Sequence, residues 1–122
     1  MITGGNITVL VSDLERSVRF YTETLELKLL KRYGNEWVTI DAGHGLIIGL
    51  HPGSVKYPPP GAKGGMMIGL EIDEPMEGAV ARLKARGVRF TGPIVKDARA
   101  GAFANFEDPD GAPLYLWQSA WD

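Results

Sequence analysis

The most restrictive feature of this sequence is that one order of predicted elements occurs twice. Residues 7–11 alternate like a strand, residues 14–27 have helical periodicity, and further strands end at residues 46–51. The stretches 67–72, 75–86 and 114–117 repeat these steps. Two strand–helix–three-strand (βαβββ) modules predict an α+β fold, in which paired half-sheets form a curved, partly open mixed sheet around a cavity.

Length and composition exclude several classes of protein. The 122 residues predict a single domain, 1–122, with modules at about 5–51 and 66–118 and a linker at 52–65. A net charge of −2 provides no electrostatic attraction to nucleic acid or to an anionic membrane. The absence of cysteine excludes disulfides, thiol catalysis and cysteine-ligated metal sites. Because no stretch resembles a signal peptide or a membrane span, we expect a cytoplasmic protein.

The first predicted helix has a start signal and one apolar face. Ser12 and Glu15 have the spacing of a capping box, in which a hydroxyl and a carboxylate bind free amides of the first turn. The apolar residues that follow are spaced by four, three and four positions, which places them on one buried face. They are Leu14, Val18, Tyr21 and Leu25.

The second predicted helix has a comparable pattern. Asp73 or Glu74 would cap it, with Pro75 in the first turn, where proline is tolerated. Gly87 is placed to end it in a left-handed conformation. Its buried residues are predicted to be Met76, Val80 and Leu83. Strands should follow at 88–95, 102–107 and 113–118. Pro113 should be the first residue of the last strand, because proline cannot donate to a ladder.

The linker 52–65 contains four prolines and four glycines, which excludes a helix or a central strand. It is either a passive connection or a lid over the cavity, because long loops without internal structure are often functional. In a lid, Tyr57 would be the obvious contact with a ligand.

Each central strand separates its side chains into two chemically different sides. One side is aliphatic and predicts packing under the helices: Ile7, Val9, Val11, Leu46, Ile48, Leu50, Ile68, Leu70, Ile72, Leu114 and Leu116. The other side is mixed: Asn6, Thr8, Leu10, Ile47, Gly49, His51, Met67, Gly69, Glu71, Pro113, Tyr115 and Trp117. This mixed side suits a wide pocket for a flat, partly polar molecule, in which the two glycines leave room and aromatic rings supply stacking area.

Four local motifs stand out along the chain: Val11-Ser12-Asp13-Leu14, then Phe20-Tyr21 with Leu25, Leu83-Lys84-Ala85-Arg86-Gly87-Val88, and Phe106-Glu107-Asp108-Pro109-Asp110-Gly111. Together they resemble the vicinal-oxygen-chelate superfamily, which contains glyoxalase I, bleomycin and fosfomycin resistance proteins, extradiol dioxygenases and methylmalonyl-CoA epimerase. The resemblance extends over residues 6–118 and implies paired βαβββ modules. One departure is Glu26, where the family often has glycine.

The resemblance also implies where the family's enzymes hold a divalent metal. By motif spacing, those positions are Asn6, Met67, Tyr115 and a less certain fourth, Gly49. An asparagine, a methionine, a neutral tyrosine and a glycine are poor ligands, because such sites need about three or four histidine or carboxylate donors. The sequence therefore favours the family's fold without its metal chemistry, and we expect no cofactor.

Structural interpretations compete with binding roles at several positions. Trp117 and Tyr115 could fill a core at a dimer contact, although ligand contact is favoured. Met67 is more simply an apolar packing residue, and Asn6 could hydrogen-bond locally. His44 lies in a glycine-flanked turn and should be exposed. The pair Asp108 and Asp110 lies in a tight turn, which favours a structural role over a catalytic one.

The catalytic residues, if any, are unknown, and His51 and Glu71 are the candidates. His51 stands at a strand end and is either exposed or a proton-transfer or ligand-donor group. Glu71 is either a solvated rim residue or a base, and a third metal donor for this pair is missing from the sequence pattern. The predicted ligand-binding residues are Asn6, Thr8, Trp37, Gly49, His51, Met67, Gly69, Glu71, Tyr115 and Trp117.

Two functional hypotheses follow. The favoured one is a metal-independent binding protein for a planar, partly aromatic small molecule, similar to the bleomycin-resistance branch. The alternative is a lyase, isomerase or dioxygenase with non-standard catalytic residues or an unforeseen metal set. A ligand-gated regulatory module is a third possibility, which no extra domain or basic patch supports. By analogy with the family, we expect a homodimer, with no nucleic-acid or membrane partner.

Overall fold

The chain forms two compact units, Met1–Ala62 and Lys63–Asp122. Their structure, a computed structural model, describes residues 1, 3, 5–53, 59–61, 66–98 and 101–119. Each unit combines an open sheet of mixed strand direction with helix, so the predicted α+β class is confirmed. Within the described residues, no helix is long and apolar enough to cross a membrane.

The first unit is a four-stranded sheet with one helix. Its elements are β1 (Ile7–Val11), α1 (Leu14–Arg19), a π-helical turn (Phe20–Thr24), β2 (Lys28–Tyr33), β3 (Trp37–Asp41) and β4 (Ile47–Pro52). The strand order is β1-β4-β3-β2, with β1 parallel to β4 and the other pairs antiparallel. A parallel pair requires a crossover connection, and α1 begins the segment that connects β1 to the rest of the sheet.

Alternation along these strands builds the core of the first unit. Val38, Ile40, Ile48 and Leu50 are completely buried, and Val11 is nearly so. The helix adds the predicted side chains Leu14, Val18 and Tyr21, whereas Leu25 is only half-buried. Burying one such aliphatic side chain contributes about 1.5–3 kcal/mol, so this face dominates the stability of the unit.

The start of α1 differs from the prediction by one residue. Asp13, and not Ser12, is the N-cap, and its Oδ1 accepts a hydrogen bond of 3.1 Å from the backbone N–H of Arg16. The Ser12 hydroxyl accepts instead from the Arg16 guanidinium at 3.0 Å. Asp13 caps the helix because its carboxylate lies three residues before the backbone N–H of Arg16, which has no acceptor within the helix.

The end of the first helical segment is a π-helical turn. The N–H of Leu25 donates to the carbonyl of Phe20 at 2.9 Å, five residues earlier, and Leu27 donates to Tyr21 at 3.0 Å. Glu26 between them has φ = +61°. It therefore adopts the left-handed conformation that glycine takes without strain, which fits the glycine that the resembled family often has at this position.

The second unit is a five-stranded sheet with one helix. Its elements are β5 (Ile68–Glu71), α2 (Met76–Ala85), β6 (Arg89–Phe90), β7 (Val95–Asp97), β8 (Gly101–Glu107) and β9 (Pro113–Ser119). The order is β5-β9-β8-β6, with β7 also paired to β8, and β5 runs parallel to β9. The continuous strand predicted for 88–95 is wrong. It is divided into β6 and β7 because Gly92 and Pro93 interrupt the ladder.

The predicted cap of α2 is also wrong. Pro75 is the N-cap, and neither Asp73 nor Glu74 caps the helix. The free N–H of Met76 donates instead to Oε1 of Gln118 on β9, at 3.1 Å. Glu74 is engaged elsewhere, in an ion pair of 2.6 Å with Arg82. A partner 42 residues away in sequence could not be identified from local spacing.

Other features of the second unit agree with the sequence. Met76, Val80 and Leu83 are buried, and Gly87 follows the helix with φ = +89°. Pro113 is the first residue of β9. Asp108 is 1% exposed, and its Oδ1 accepts from the N–H groups of Asp110 at 2.9 Å and Ala112 at 2.8 Å. The structural role predicted for this turn is confirmed at Asp108.

Candidate functional site

In the first unit, the side of the sheet opposite the aliphatic core carries aromatic and polar groups. We call this the aromatic side of the first sheet, and it consists of Thr8, Trp37, Thr39, Gly49 and His51. Thr39 and Thr8 flank Gly49 in the strand register. The rings of Trp37 and His51 lie 6.2 Å apart between centroids, inclined by 59°. Both side chains are half-buried, so each keeps part of its surface accessible.

Gly49 does not leave the open space that the sequence suggested. A Cβ built on it would lie 2.2, 2.7 and 2.9 Å from the atoms Cη2, Cζ2 and Cζ3 of Trp37. The six-membered ring of the indole therefore occupies the space directly above the glycine. The absent side chain makes room for another side chain of the same sheet and leaves no void there.

In the second unit, the corresponding side carries three aromatic rings. We call it the aromatic side of the second sheet, and it consists of Gly69, Phe103, Asn105, Tyr115 and Trp117. Phe103 lies opposite Trp117, and Asn105 lies opposite Tyr115, in the antiparallel register of β8 and β9. The Phe103 and Tyr115 rings are 6.2 Å apart. All three rings are half-buried.

Phe103 and Asn105 were missed by sequence reasoning. The signal was present, because residues 101–107 alternate between small or apolar buried positions and half-buried ones. Successive side chains of a strand point to opposite sides of the sheet. Phe103 therefore lies on the side opposite its buried neighbours Ala102 and Ala104. The mixed side predicted from the sequence took in only β1, β4, β5 and β9, and β8 lay outside it.

The prediction that Gly69 leaves room is corrected in the same way as that for Gly49. A Cβ on Gly69 would lie 2.3, 2.4 and 2.8 Å from Cζ, the hydroxyl oxygen and Cε2 of Tyr115. Tyr115 is the register partner of Gly69 across the parallel β5–β9 pair. The outer end of its ring therefore covers the glycine.

The remaining predicted site residues are dispersed over the two units. Asn6 precedes β1 and is exposed, and its Oδ1 accepts a hydrogen bond of 3.3 Å from the hydroxyl of Thr8. Met67 precedes β5 and is 53% exposed. Glu71 is exposed at the end of β5, in register with Trp117. His51 belongs to the first unit and Glu71 to the second.

Other candidates lie away from these surfaces or beyond the described residues. His44 has φ = +53° in its glycine-flanked turn and is exposed, as predicted. Tyr57, the contact predicted for a lid, lies outside the described residues. Within the part of the chain that the structure describes, no group of three or more His, Asp or Glu side chains is placed to hold a metal ion.

Comparisons with known proteins agree on one family. The sequence model of the Glyoxalase/Bleomycin resistance protein/Dioxygenase superfamily matches residues 5–116. The crystal structure of TnmS3, an antibiotic binding protein from Streptomyces sp. CB03234, is 31% identical, with a TM-score of 0.76, covering 98% of this chain and 97% of that one. No curated protein matches the chain.

Two further solved structures are similar over nearly the whole length. A glyoxalase/bleomycin resistance protein from Streptomyces sp. CB03234 is 31% identical, with a TM-score of 0.74, and the match covers 95% of this chain and all of that one. A lactoylglutathione lyase from Agrobacterium tumefaciens is 14% identical, with a TM-score of 0.72 over 99% and 95% of the two chains. At that identity the lyase shows a shared fold only.

Proposed function

Because the chain belongs to the glyoxalase/bleomycin resistance protein/dioxygenase superfamily, we propose that it is a metal-independent binding protein for a small, planar, partly aromatic molecule. Its action would be sequestration, in which the ligand is held without chemical change. The similarity to TnmS3, an antibiotic binding protein, supports this choice within a superfamily that also contains enzymes.

The observation that carries the proposal is the chemistry of the two aromatic sides. The core of each unit is completed by buried aliphatic side chains together with Tyr21 and Phe106. The rings on the opposite sides, Trp37, Tyr115 and Trp117 among them, are half-buried and keep accessible area. Aromatic rings of this kind provide large, rigid contact surfaces with a preference for stacking on flat molecules.

On each aromatic side, polar groups next to the rings would orient a ligand bound there. His51 adjoins Trp37 in the first sheet, and Asn105 lies opposite Tyr115 in the second. Asn6 and Glu71 are exposed and would contribute hydrogen bonds at the rim. A few directed polar contacts around an apolar surface are the usual basis of small-molecule specificity.

The residues at the family's metal-ligand positions support metal independence. The Asn6 carbonyl oxygen already accepts from Thr8, Met67 offers only a thioether, and Gly49 lies beneath an indole ring. Tyr115 offers a phenol oxygen, and the outer end of its ring rests on Gly69. This set does not fit a divalent metal that requires imidazole or carboxylate ligands, so no step of the proposed function uses one.

The proposal is tested by binding and by one aromatic substitution. A thermal-shift screen of aromatic antibiotics and quinones should find a compound that raises the melting temperature, because a ligand that binds only the folded state stabilises it. Trp117→Ala should weaken binding of that compound by about 5- to 150-fold, measured by isothermal titration calorimetry, since stacking contributes about 1–3 kcal/mol. Trp117→Phe, which keeps a ring, is the matched control. Unchanged affinity in a folded Trp117→Ala protein would contradict the proposal.

A second candidate function is catalysis by a lyase, isomerase or dioxygenase of the same superfamily. The half-buried imidazole of His51 beside Trp37 favours it, because a general base must lie close to a bound substrate. His51→Gln would then reduce turnover of the compound found in the screen by a far larger factor than it weakens binding of that compound. An unchanged ligand after prolonged incubation with the wild-type protein would exclude this candidate for that compound.

We also propose that the protein is a cytoplasmic homodimer, by analogy with the family. Light scattering coupled to size-exclusion chromatography tests the assembly directly. A mass of 13.3 kDa for the eluting species, which is that of one chain, would refute the dimer.

A further inference from the structure

We propose that Gly49 and Gly69 are positioning residues that hold the rings of Trp37 and Tyr115 close against their own sheets, so that the outward surface of each ring is set at the height needed to stack on the ligand. This inference rests on the proposed function. It replaces the earlier expectation that the two glycines create an empty pocket.

The contact distances carry the argument. Three ring atoms of Trp37 lie within 3 Å of the place where a Cβ of Gly49 would be, and three atoms of Tyr115 do the same at Gly69. A methyl group would therefore move each ring by about 1.2 Å to reach ordinary contact near 3.4 Å. Only glycine permits the observed ring positions.

Neighbouring side chains limit the directions in which the rings could move. The Trp37 ring adjoins His51, and the Tyr115 ring adjoins Phe103, each with 6.2 Å between centroids. Each neighbour restricts movement of the ring toward it. A methyl group added below would therefore push each ring outward, away from its sheet.

An outward displacement of this size matters for stacking. Dispersion attraction falls steeply, and a misfit of 0.5–1 Å already forfeits about a quarter to a half of the optimal contact energy. A planar ligand that contacts several groups cannot follow one displaced ring without losing the others. The glycines would therefore tune affinity without contacting the ligand.

Three other glycines among the described residues do not make such a close approach. Gly78, Gly92 and Gly53 also have ordinary backbone conformations, and nothing would lie within 4 Å of a Cβ at any of them. Gly78→Ala on the exposed side of α2 is therefore a matched control, because it adds the same methyl group without displacing a ring.

The first experiment measures affinity by isothermal titration calorimetry. Anthraquinone-2-sulfonate is the planar probe, and adamantane-1-carboxylate is a non-planar anion of comparable size. We expect wild-type protein and Gly78→Ala to bind the planar probe equally and to ignore the non-planar one. Gly49→Ala and Gly69→Ala should each bind the planar probe about two- to tenfold more weakly.

The second experiment distinguishes positioning from a general structural effect. In a Tyr115→Ala background no ring remains above Gly69, so Gly69→Ala should cause no further loss of affinity. The Trp37→Ala background is the equivalent test for Gly49→Ala. If a single glycine variant fails to fold, the corresponding double variant should fold, because the ring that clashes with the methyl group has been removed.

The outcomes separate the two proposals. Wild-type protein that fails to bind the planar probe would overturn the proposed function and the glycine role with it. Wild-type binding together with unchanged affinity in both glycine variants would overturn the glycine role alone. The glycine role would also be overturned if the glycine substitutions still weakened binding to the same extent in the Trp37→Ala and Tyr115→Ala backgrounds. It would be overturned as well if the double variants did not fold.

Discussion

Glu26 offers a direct test of how the first helical segment ends. It has φ = +61°, a conformation that places its Cβ against the neighbouring backbone. Glycine has no Cβ and adopts this conformation without strain. We therefore predict that Glu26→Gly stabilises the protein, although glycine is the most flexible residue in the unfolded chain.

The expected change in the free energy of unfolding for Glu26→Gly is the sum of one gain and two costs. Relief of the left-handed conformation is worth roughly 1–2 kcal/mol. The greater entropy of glycine in the unfolded chain costs about 0.5–1 kcal/mol. Glu26 is exposed and has polar contacts of its own, whose loss costs under about 1 kcal/mol. The expected net gain is about 0.5 kcal/mol, which raises the melting temperature by about 1–3 °C.

Urea denaturation followed by circular dichroism measures this difference when both proteins are unfolded side by side. The matched control is Glu23→Gly, the same substitution three residues earlier inside the π-helical turn, which should destabilise by about 1 kcal/mol. Glu26→Ala removes the same side chain but keeps a Cβ, and should not stabilise. A Glu26→Gly protein that is less stable than wild type by as much as Glu23→Gly would refute the argument from backbone strain.

Three further outcomes are expected. Asp108→Ala should lose about 3 kcal/mol in urea denaturation, because two N–H groups lose a buried carboxylate, whereas Asp108→Asn should lose less. Lys96 lowers the pKa of Glu77 below 4.5 through a hydrogen bond, so Lys96→Ala should raise that pKa in an NMR titration. The small stability from this exposed pair is present above the unfolded-state pKa and disappears as pH falls through the lowered one. Protein purified without chelators should contain far less than one Zn, Ni, Mn or Fe per chain, and a stoichiometric metal would refute metal independence.

The division of each sheet into two sides could be predicted from the sequence. Strand alternation has a strict period of two, so the burial of Ile48 and Leu50 implies that Gly49 and His51 point the other way. Helical spacing likewise identified the buried faces at Val18 and Leu83. These predictions succeed because they depend on periodicity within a single element.

Features that depend on a distant partner could not be predicted in this way. The cap of α2 comes from Gln118 on another strand, and the rings above the two glycines come from neighbouring strands. Their positions depend on register and on side-chain rotamers, neither of which leaves a local pattern. Glycine alone in a strand is compatible with an open pocket and with a covering ring, and only the structure distinguishes them.

Strand register also shows how the sheets of the two units differ. Thr8 pairs with Gly49 across the parallel pair of the first sheet, as Gly69 pairs with Tyr115 in the second. The glycine is therefore on the inner strand β4 in one unit and on the outer strand β5 in the other.

This exchange explains why an aromatic ring reaches its glycine from a different direction in each unit. In the first, Trp37 extends from β3 across to β4, and in the second Tyr115 extends from β9 across to β5. Each unit thus arrives at the same local arrangement, a ring resting on a glycine, from non-equivalent positions. An aromatic ring that covers a glycine is also a common device of sheet packing. Repetition of the contact is therefore compatible with both roles, and the affinities of Gly49→Ala and Gly69→Ala for a planar probe distinguish a binding role from a purely structural one.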